Sequence, residues 1–238
     1  MRLNPAASRA LIAARMSEAE DMKALAGRHA ASYVEPGMRV GLGTGSTVHH
    51  TIVALGERAG LGLTCVATSE RTRQLAESLG LRVVEPDAAL ELDLAIDGAD
   101  EVDPRLNLVK GGGGAHTREK IVASMAARFI VVVDESKLVR TLGAFGLPLE
   151  ALRFAPEVVC RRVRALGARA VERCGESDNQ NVLLRADFGR IPAPAALARA
   201  LEAIPGLVEH GLFLSSMVER IVVGGRDGVR EIVRPAGS

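Results

Sequence analysis

Through its first half the chain repeats one pattern: a short apolar run, then glycine, threonine, serine or aspartate, then a stretch with helical spacing. Strand candidates fall at 38–43, 63–67, 81–84, 92–96 and 129–133, separated by helical stretches near 47–59, 70–79 and 117–128. Short apolar strands alternating with helices require a largely parallel sheet covered on both faces, because each parallel pair needs a crossover long enough to hold a helix. Ligands of such sheets sit beyond the carboxyl ends of the strands. The glycine turn at 41–45, the turn at 67–70 and Asp97 all follow strands, so they converge on that edge.

Two flanking regions differ. Residues 1–16 read as a loosely ordered lead-in, and Ser17-Glu18-Ala19-Glu20 has the capping-box pattern of a helix start. That helix carries Met22, Leu25, Ala26, His29, Ala30 and Tyr33 on one side and stops at Pro36-Gly37. After Gly143 the order becomes β-α-β-β-α-β, as a small split-βαβ, ferredoxin-like domain would show. The predicted division is residues 1–146 with 213–238 in a main domain and 147–212 in a smaller α/β domain.

Charge and composition remove several function classes. A formal net charge of +1 gives no long-range attraction to nucleic acid or an anionic membrane. With 3% aromatic residues and no Trp, stacking platforms for bases or sugar rings are scarce. No apolar run approaches the roughly 18 residues of a membrane span, and the N-terminus lacks a secretory pattern, so the expected compartment is the cytoplasm. Cys65, Cys160 and Cys174 are odd in number and lack CxxC spacing, which predicts small buried side chains in a reducing compartment.

Three motifs carry chemistry. Gly41-Leu42-Gly43-Thr44-Gly45-Ser46-Thr47 leaves a strand and enters a helix, where free amides and three hydroxyls can hold a phosphate. It lacks the lysine of a Walker A loop, and no acid follows the next strand to hold a dinucleotide ribose. Asp97-Gly98-Ala99-Asp100-Glu101-Val102-Asp103 sets four acids in seven residues at the cleft, without calcium-loop spacing. No metal site is assigned there.

The third motif is Lys110 followed by Gly111, Gly112, Gly113 and Gly114. Successive glycines let backbone wrap a ligand and aim several N–H groups into one space, as an oxyanion site requires. A helix then starts near Thr117, and Glu119 lies one turn before Val122 at its cleft end, a placement that suits a general base. Arg118 and Lys120 are expected at solvent or in ion pairs, and His116 at the entrance.

These motifs, in this order, resemble the A-type ribose-5-phosphate isomerases. So do Asp134-Glu135-Ser136-Lys137, Gly143-Ala144-Phe145, Leu147-Pro148-Leu149-Glu150, Asp178-Asn179 and Ile204-Pro205-Gly206, over roughly residues 20–235. The resemblance implies a Rossmann-like first domain and interconversion of D-ribose 5-phosphate and D-ribulose 5-phosphate in the non-oxidative pentose phosphate pathway. It implies no metal or other cofactor, and a homodimer, with tetramers also found in the family. Carried onto this chain, Glu119 would move the proton between C2 and C1, and Asp97 would assist ring opening and proton exchange between O1 and O2. Lys110 with the amides of Gly111–Gly113 would stabilise the enediolate. Thr44, Gly45, Ser46 and Thr47 with Lys23 and Lys137 would hold the phosphate end. Asp100, beside Gly98 and Ala99, would bind sugar hydroxyls.

The chain departs from the family at Gly114 and His116 and in the loop Phe213–Met217, a segment with a bearing on dimer contacts or domain closure. Two other readings stay open: a coenzyme A transferase using a glutamate nucleophile on the same framework, and a non-catalytic sugar-phosphate sensor. The compact phosphate turn suits a sugar phosphate better than a carrier-linked thioester. The lead-in is too short for the helix-turn-helix of a sensor.

Overall fold

The computed structural model describes residues 5–58, 60–87 and 89–234, with residues 5–16 represented by their helical backbone alone. In chain order the elements are α1 (Pro5–Ala31), β1 (Arg39–Leu42), α2 (Ser46–Gly56), β2 (Thr64–Ala67), α3 (Glu70–Ser78) and β3 (Arg82–Val83). Next come β4 (Leu94–Asp97), β5 (Glu101–Val102), β6 (Leu108–Val109), α4 (His116–Ser124), β7 (Phe129–Asp134) and β8 (Leu147–Ala151). The chain continues with α5 (Pro156–Ala165), β9 (Ala170–Glu176), β10 (Val182–Asp187), α6 (Pro194–Glu202) and β11 (Leu207–His210). It closes with β12 (Leu212–Phe213), β13 (Arg220–Gly225) and β14 (Gly228–Val233).

The main sheet has the order β14-β13-β7-β4-β1-β2-β3, parallel except for the β13–β14 hairpin at one edge. Its strands are apolar on both faces because both faces are covered. In β7, Ile130 and Val132 join the core under α1 and α2, while Phe129, Val131 and Val133 join the opposite core with Val122 of α4. Strand β4 divides the same way, Leu94 and Ile96 against Ala95. Period-two alternation of uniformly apolar residues thus feeds two cores at once.

The second sheet, β11-β8-β10-β9, is antiparallel throughout and has its own core with α5 and α6. Strand order 4-1-3-2 in its own count is that of the split-βαβ arrangement read from the sequence. A three-stranded ribbon, β12-β6-β5, runs alongside. Gly211 ends β11 and passes the chain into β12 against Val109, so the expected single strand at 207–212 is two.

The first helix begins at Pro5 rather than Ser17. Residues 6–16 are mostly alanine and other strong helix formers with no glycine or proline, so a capping-box pattern downstream has nothing to stop the helix above it. Residues 1–4 of the predicted lead-in lie outside the described residues, as do residues 235–238. Cys65 and Cys160 are buried as expected, but Cys174 is exposed, because it lies on β9 at the open edge of the antiparallel sheet. Among the described residues no helix is long and apolar enough to cross a membrane.

Candidate active site

The carboxyl ends of β1 and β4 lie side by side, with Leu42 paired to Ile96 and the Gly43 N–H donating to the Ile96 carbonyl at 2.9 Å. Beyond them a cavity of about 210 Å³ is lined by Thr44–Thr47, Gly98–Asp100, Lys110–Gly113, Glu119 and Lys137. Gly43 has to be glycine, because a Cβ there would stand 2.1 Å from Asp97 Cγ. The turn rests directly on the Asp97 side chain, whose Oδ1 accepts from the N–H groups of Gly98 at 2.7 Å and Thr44 at 3.1 Å.

Lys110 follows β6 and is anchored by its N–H to the Gly211 carbonyl at 2.8 Å. Its ammonium donates to the Gly98 carbonyl at 2.6 Å and stands 2.9 Å from Asp97 Oδ2 and 3.0 Å from Glu119 Oε2. Both carboxylate contacts are close ion contacts without hydrogen-bond alignment, so Asp97 Oδ2 and Glu119 Oε2 each lack an aligned donor. All three side chains are at most 4% exposed. One buried cation therefore serves two buried carboxylates.

The charge balance follows. Burial pushes the Glu119 carboxyl up, to about 8; the Asp97 charge adds to the rise and Lys110 opposes it. Burial likewise raises Asp97 against the pull of Lys110. Burial alone would lower Lys110, but the two carboxylates outweigh it and hold the ammonium above its ordinary range. The trio thus keeps its cation and holds one proton on the carboxylates more readily than free acids would.

At the other end of the cavity α2 opens with Gly45 at its N-cap and no side-chain cap, leaving first-turn amides at Ser46 and Thr47 facing an anion-ready space with Lys137 beside it. Lys137 is carried there by the 3₁₀ turn Glu135–Lys137, which Asp134 caps through the Ser136 N–H at 2.9 Å. Thr44 is different. Its hydroxyl lies within 3.0 Å of those of Thr68, Ser69 and Thr72, and its N–H serves Asp97, so it stiffens the turn.

The structure corrects three expectations. Lys23 does not line the cavity; its ammonium sits 3.4 Å from Glu20 one turn back on α1, a helix packed against α2. His116 is not at the entrance but fully buried, its ring nitrogens without partners, and burial lowers its pKa to about 4. It packs behind Gly111, which has φ 108°; a Cβ there would meet the imidazole at 2.7 Å. The Gly112 N–H is taken by Asp100 Oδ2 at 2.8 Å, so it is not free to serve as an oxyanion donor. Asp97 lies under the glycine turn against the Lys110 ammonium, while Asp100 lines the space and braces the glycine run. Of the other acids, Glu101 caps the amides of Gly143 and Phe145, and Asp103 those of Arg105 and Asn107. Among the described residues no group of three or more metal-ligating side chains gathers.

The sequence located the turn at 67–70 and Phe213 without giving either a part in the site. The Phe213 ring has the ammonium groups of Lys110 and Lys120 at 5.2 and 5.0 Å, one flat apolar surface under two cations. One signal existed: a buried-type aromatic in a chain with few of them, just after the strand that anchors Lys110. Thr68, Ser69 and Thr72 carry a weaker signal as hydroxyls after a strand.

The family profile of ribose 5-phosphate isomerase A (phosphoriboisomerase A) matches residues 64–228. The ribose-5-phosphate isomerase A of Thermomicrobium roseum is 48% identical over 225 residues, covering 90% of this chain and 94% of that protein. That of Parvibaculum lavamentivorans is 44% identical over 229 residues, covering 90% and 98%. A solved ribose 5-phosphate isomerase A from Methanocaldococcus jannaschii superposes with a TM-score of 0.85 at 36% identity, covering 90% of this chain and 99% of that one. A D-ribose-5-phosphate isomerase in complex with phospho-erythronic acid superposes at 0.87 and 36% identity, covering 91% and 99%. The fold, the ordered motifs and these likenesses over nearly the whole length agree: the chain belongs to the ribose 5-phosphate isomerase A family.

Proposed function

We propose that the cavity interconverts D-ribose 5-phosphate and D-ribulose 5-phosphate through an enediolate, with Glu119 as the base. Family membership makes the chain an aldose–ketose isomerase; the roles of individual residues are this reading's own. The observation that carries them is the Lys110 ammonium held 3.0 Å from Glu119, inside a cavity whose far end is the open start of α2.

With the phosphate at Ser46, Thr47 and Lys137, the open-chain sugar reaches back to Glu119. Its carboxylate takes the proton from C2; the C2–H electron pair forms the C1–C2 double bond and O1 becomes negative. Lys110 and the amides of Gly111 and Gly113 lie where that charge develops. Asp97 exchanges the proton between O1 and O2 and assists ring opening. Glu119 then returns the proton to C1 as the C2–O2 double bond forms. Electrons balance within the sugar, so the reading includes no cofactor. Asp100 binds hydroxyls.

A relative has been solved with phospho-erythronic acid. That ligand joins a phosphate to a carboxylate, a planar anion like the enediolate, and it is expected to inhibit this chain competitively. The reading extends to a cytoplasmic homodimer in the non-oxidative pentose phosphate pathway, for which sedimentation equilibrium on the purified chain is the check on assembly.

The test is conversion of ribose 5-phosphate in EDTA by wild type and Glu119→Gln. Fast wild-type turnover with a variant that is folded and about 10³-fold slower supports the reading. A variant within tenfold of wild type removes Glu119 from the role.

A further inference from the structure

Helix α4 carries Glu119 in its first turn, yet its own start is uncapped: Ala115 stands at the N-cap and provides no side-chain bond. Something else must hold that turn, since a base has to be placed to within a fraction of an ångström. The hold comes from the antiparallel sheet. Glu150, on β8, is fully buried, and its Oε2 accepts from the Thr117 hydroxyl. Its Oε1 accepts from Ser177 Oγ at 2.8 Å, Asn179 Nδ2 at 3.2 Å and Asn181 Nδ2 at 2.8 Å. Arg118, the next residue of α4, donates to Asn179 Oδ1 at 2.8 Å and to Glu70 Oε1 at 3.0 Å. The Glu70 N–H in turn donates to Asp178 Oδ2 at 3.0 Å. Both residues that precede Glu119 are thus tied to one polar knot centred on a buried carboxylate.

We propose that Glu150 is a positioning residue for the isomerisation: through Thr117 it fixes the first turn of α4 and so sets where the Glu119 carboxylate stands against Lys110. The proposal rests on the reading of Glu119 as the base. Every group facing Glu150 is a donor, and only an ionised carboxylate accepts from all four. A glutamine there turns its amide N–H groups toward donors. Valine at position 117 removes the hydroxyl and keeps the shape.

The test compares wild type, Thr117→Val, Glu150→Gln and Glu119→Gln, each assayed for kcat, KM and the isotope effect with ribose 5-phosphate deuterated at C2. A shifted base makes proton abstraction slower: kcat falls by about 10- to 100-fold in Glu150→Gln and less in Thr117→Val, with KM within about twofold and a larger isotope effect. Loss of folded protein alone lowers the apparent kcat but leaves KM and the isotope effect at wild-type values, and that result overturns the proposal. Wild-type kcat in Thr117→Val and Glu150→Gln, with Glu119→Gln inactive, overturns the positioning role while the base survives. An active Glu119→Gln overturns the base and the proposal together.

Discussion

Glu119 and Glu150 are carboxylates of nearly equal burial, 3% and 0% exposed, and their surroundings drive them in opposite directions. Glu119 faces one ammonium that it shares with Asp97, at an unaligned 3.0 Å, and burial with the Asp97 charge raises its pKa. Burial presses on Glu150 too, but four aligned donors, led by Thr117, outweigh it and hold its pKa below the ordinary value. Burial alone therefore does not set a carboxylate's charge state. The number and aim of donors decide whether burial prevails, and a site that must take up a proton is one left short of donors.

The largest effect expected from disturbing this contrast is on Lys110. Lys110→Met leaves Asp97 and Glu119 buried without a cation, which should abolish turnover and cost about 3–5 kcal/mol of stability in urea unfolding. Glu150→Ala should cost about 3 kcal/mol, because it strands four donors in the interior.

The pH dependence comes next. Glu119 acts as a base only when ionised, so kcat/KM should rise with pH through about 8. Asp97→Asn removes a neighbouring negative charge and should move that limb to lower pH, while lowering the maximum rate. Stability should move oppositely. A carboxyl with a folded pKa of about 8 against an ordinary 4.5 binds more protons folded than unfolded between those values, so the fold loses stability as pH rises through that window. Glu119→Gln should flatten the slope and gain on the order of 1–2 kcal/mol above pH 8, and nothing below pH 4.5. The smallest effects separate Lys137, which lines the cavity, from Lys23, which does not: Lys137→Ala should raise KM about tenfold, and Lys23→Ala less than twofold.

The contrast also marks what could be read from the chain itself. Asp97, Lys110 and Glu119 were legible because each is the first polar residue past an apolar strand or before an amphipathic face, and the parallel topology gathers such positions at one edge. The order of elements followed from the same alternation. Glu150 was not legible as a positioning group: its donors lie 27 to 33 residues away along the chain, in a turn and a helix whose docking no local pattern encodes. His116 looks like an entrance residue until β11 is packed against α4. Lys23 failed for a related reason, since its helix runs on from Pro5 and its position relative to the cleft depends on a tertiary crossing.

The most direct measurement is a carbon-13 NMR titration of the glutamate side-chain carboxyls, assigned with Glu119→Gln and Glu150→Gln. The account predicts one glutamate that takes up its proton near pH 8 and vanishes in Glu119→Gln, and another, absent in Glu150→Gln, that stays ionised below pH 4.5. Titration of Glu119 below pH 5 would contradict it.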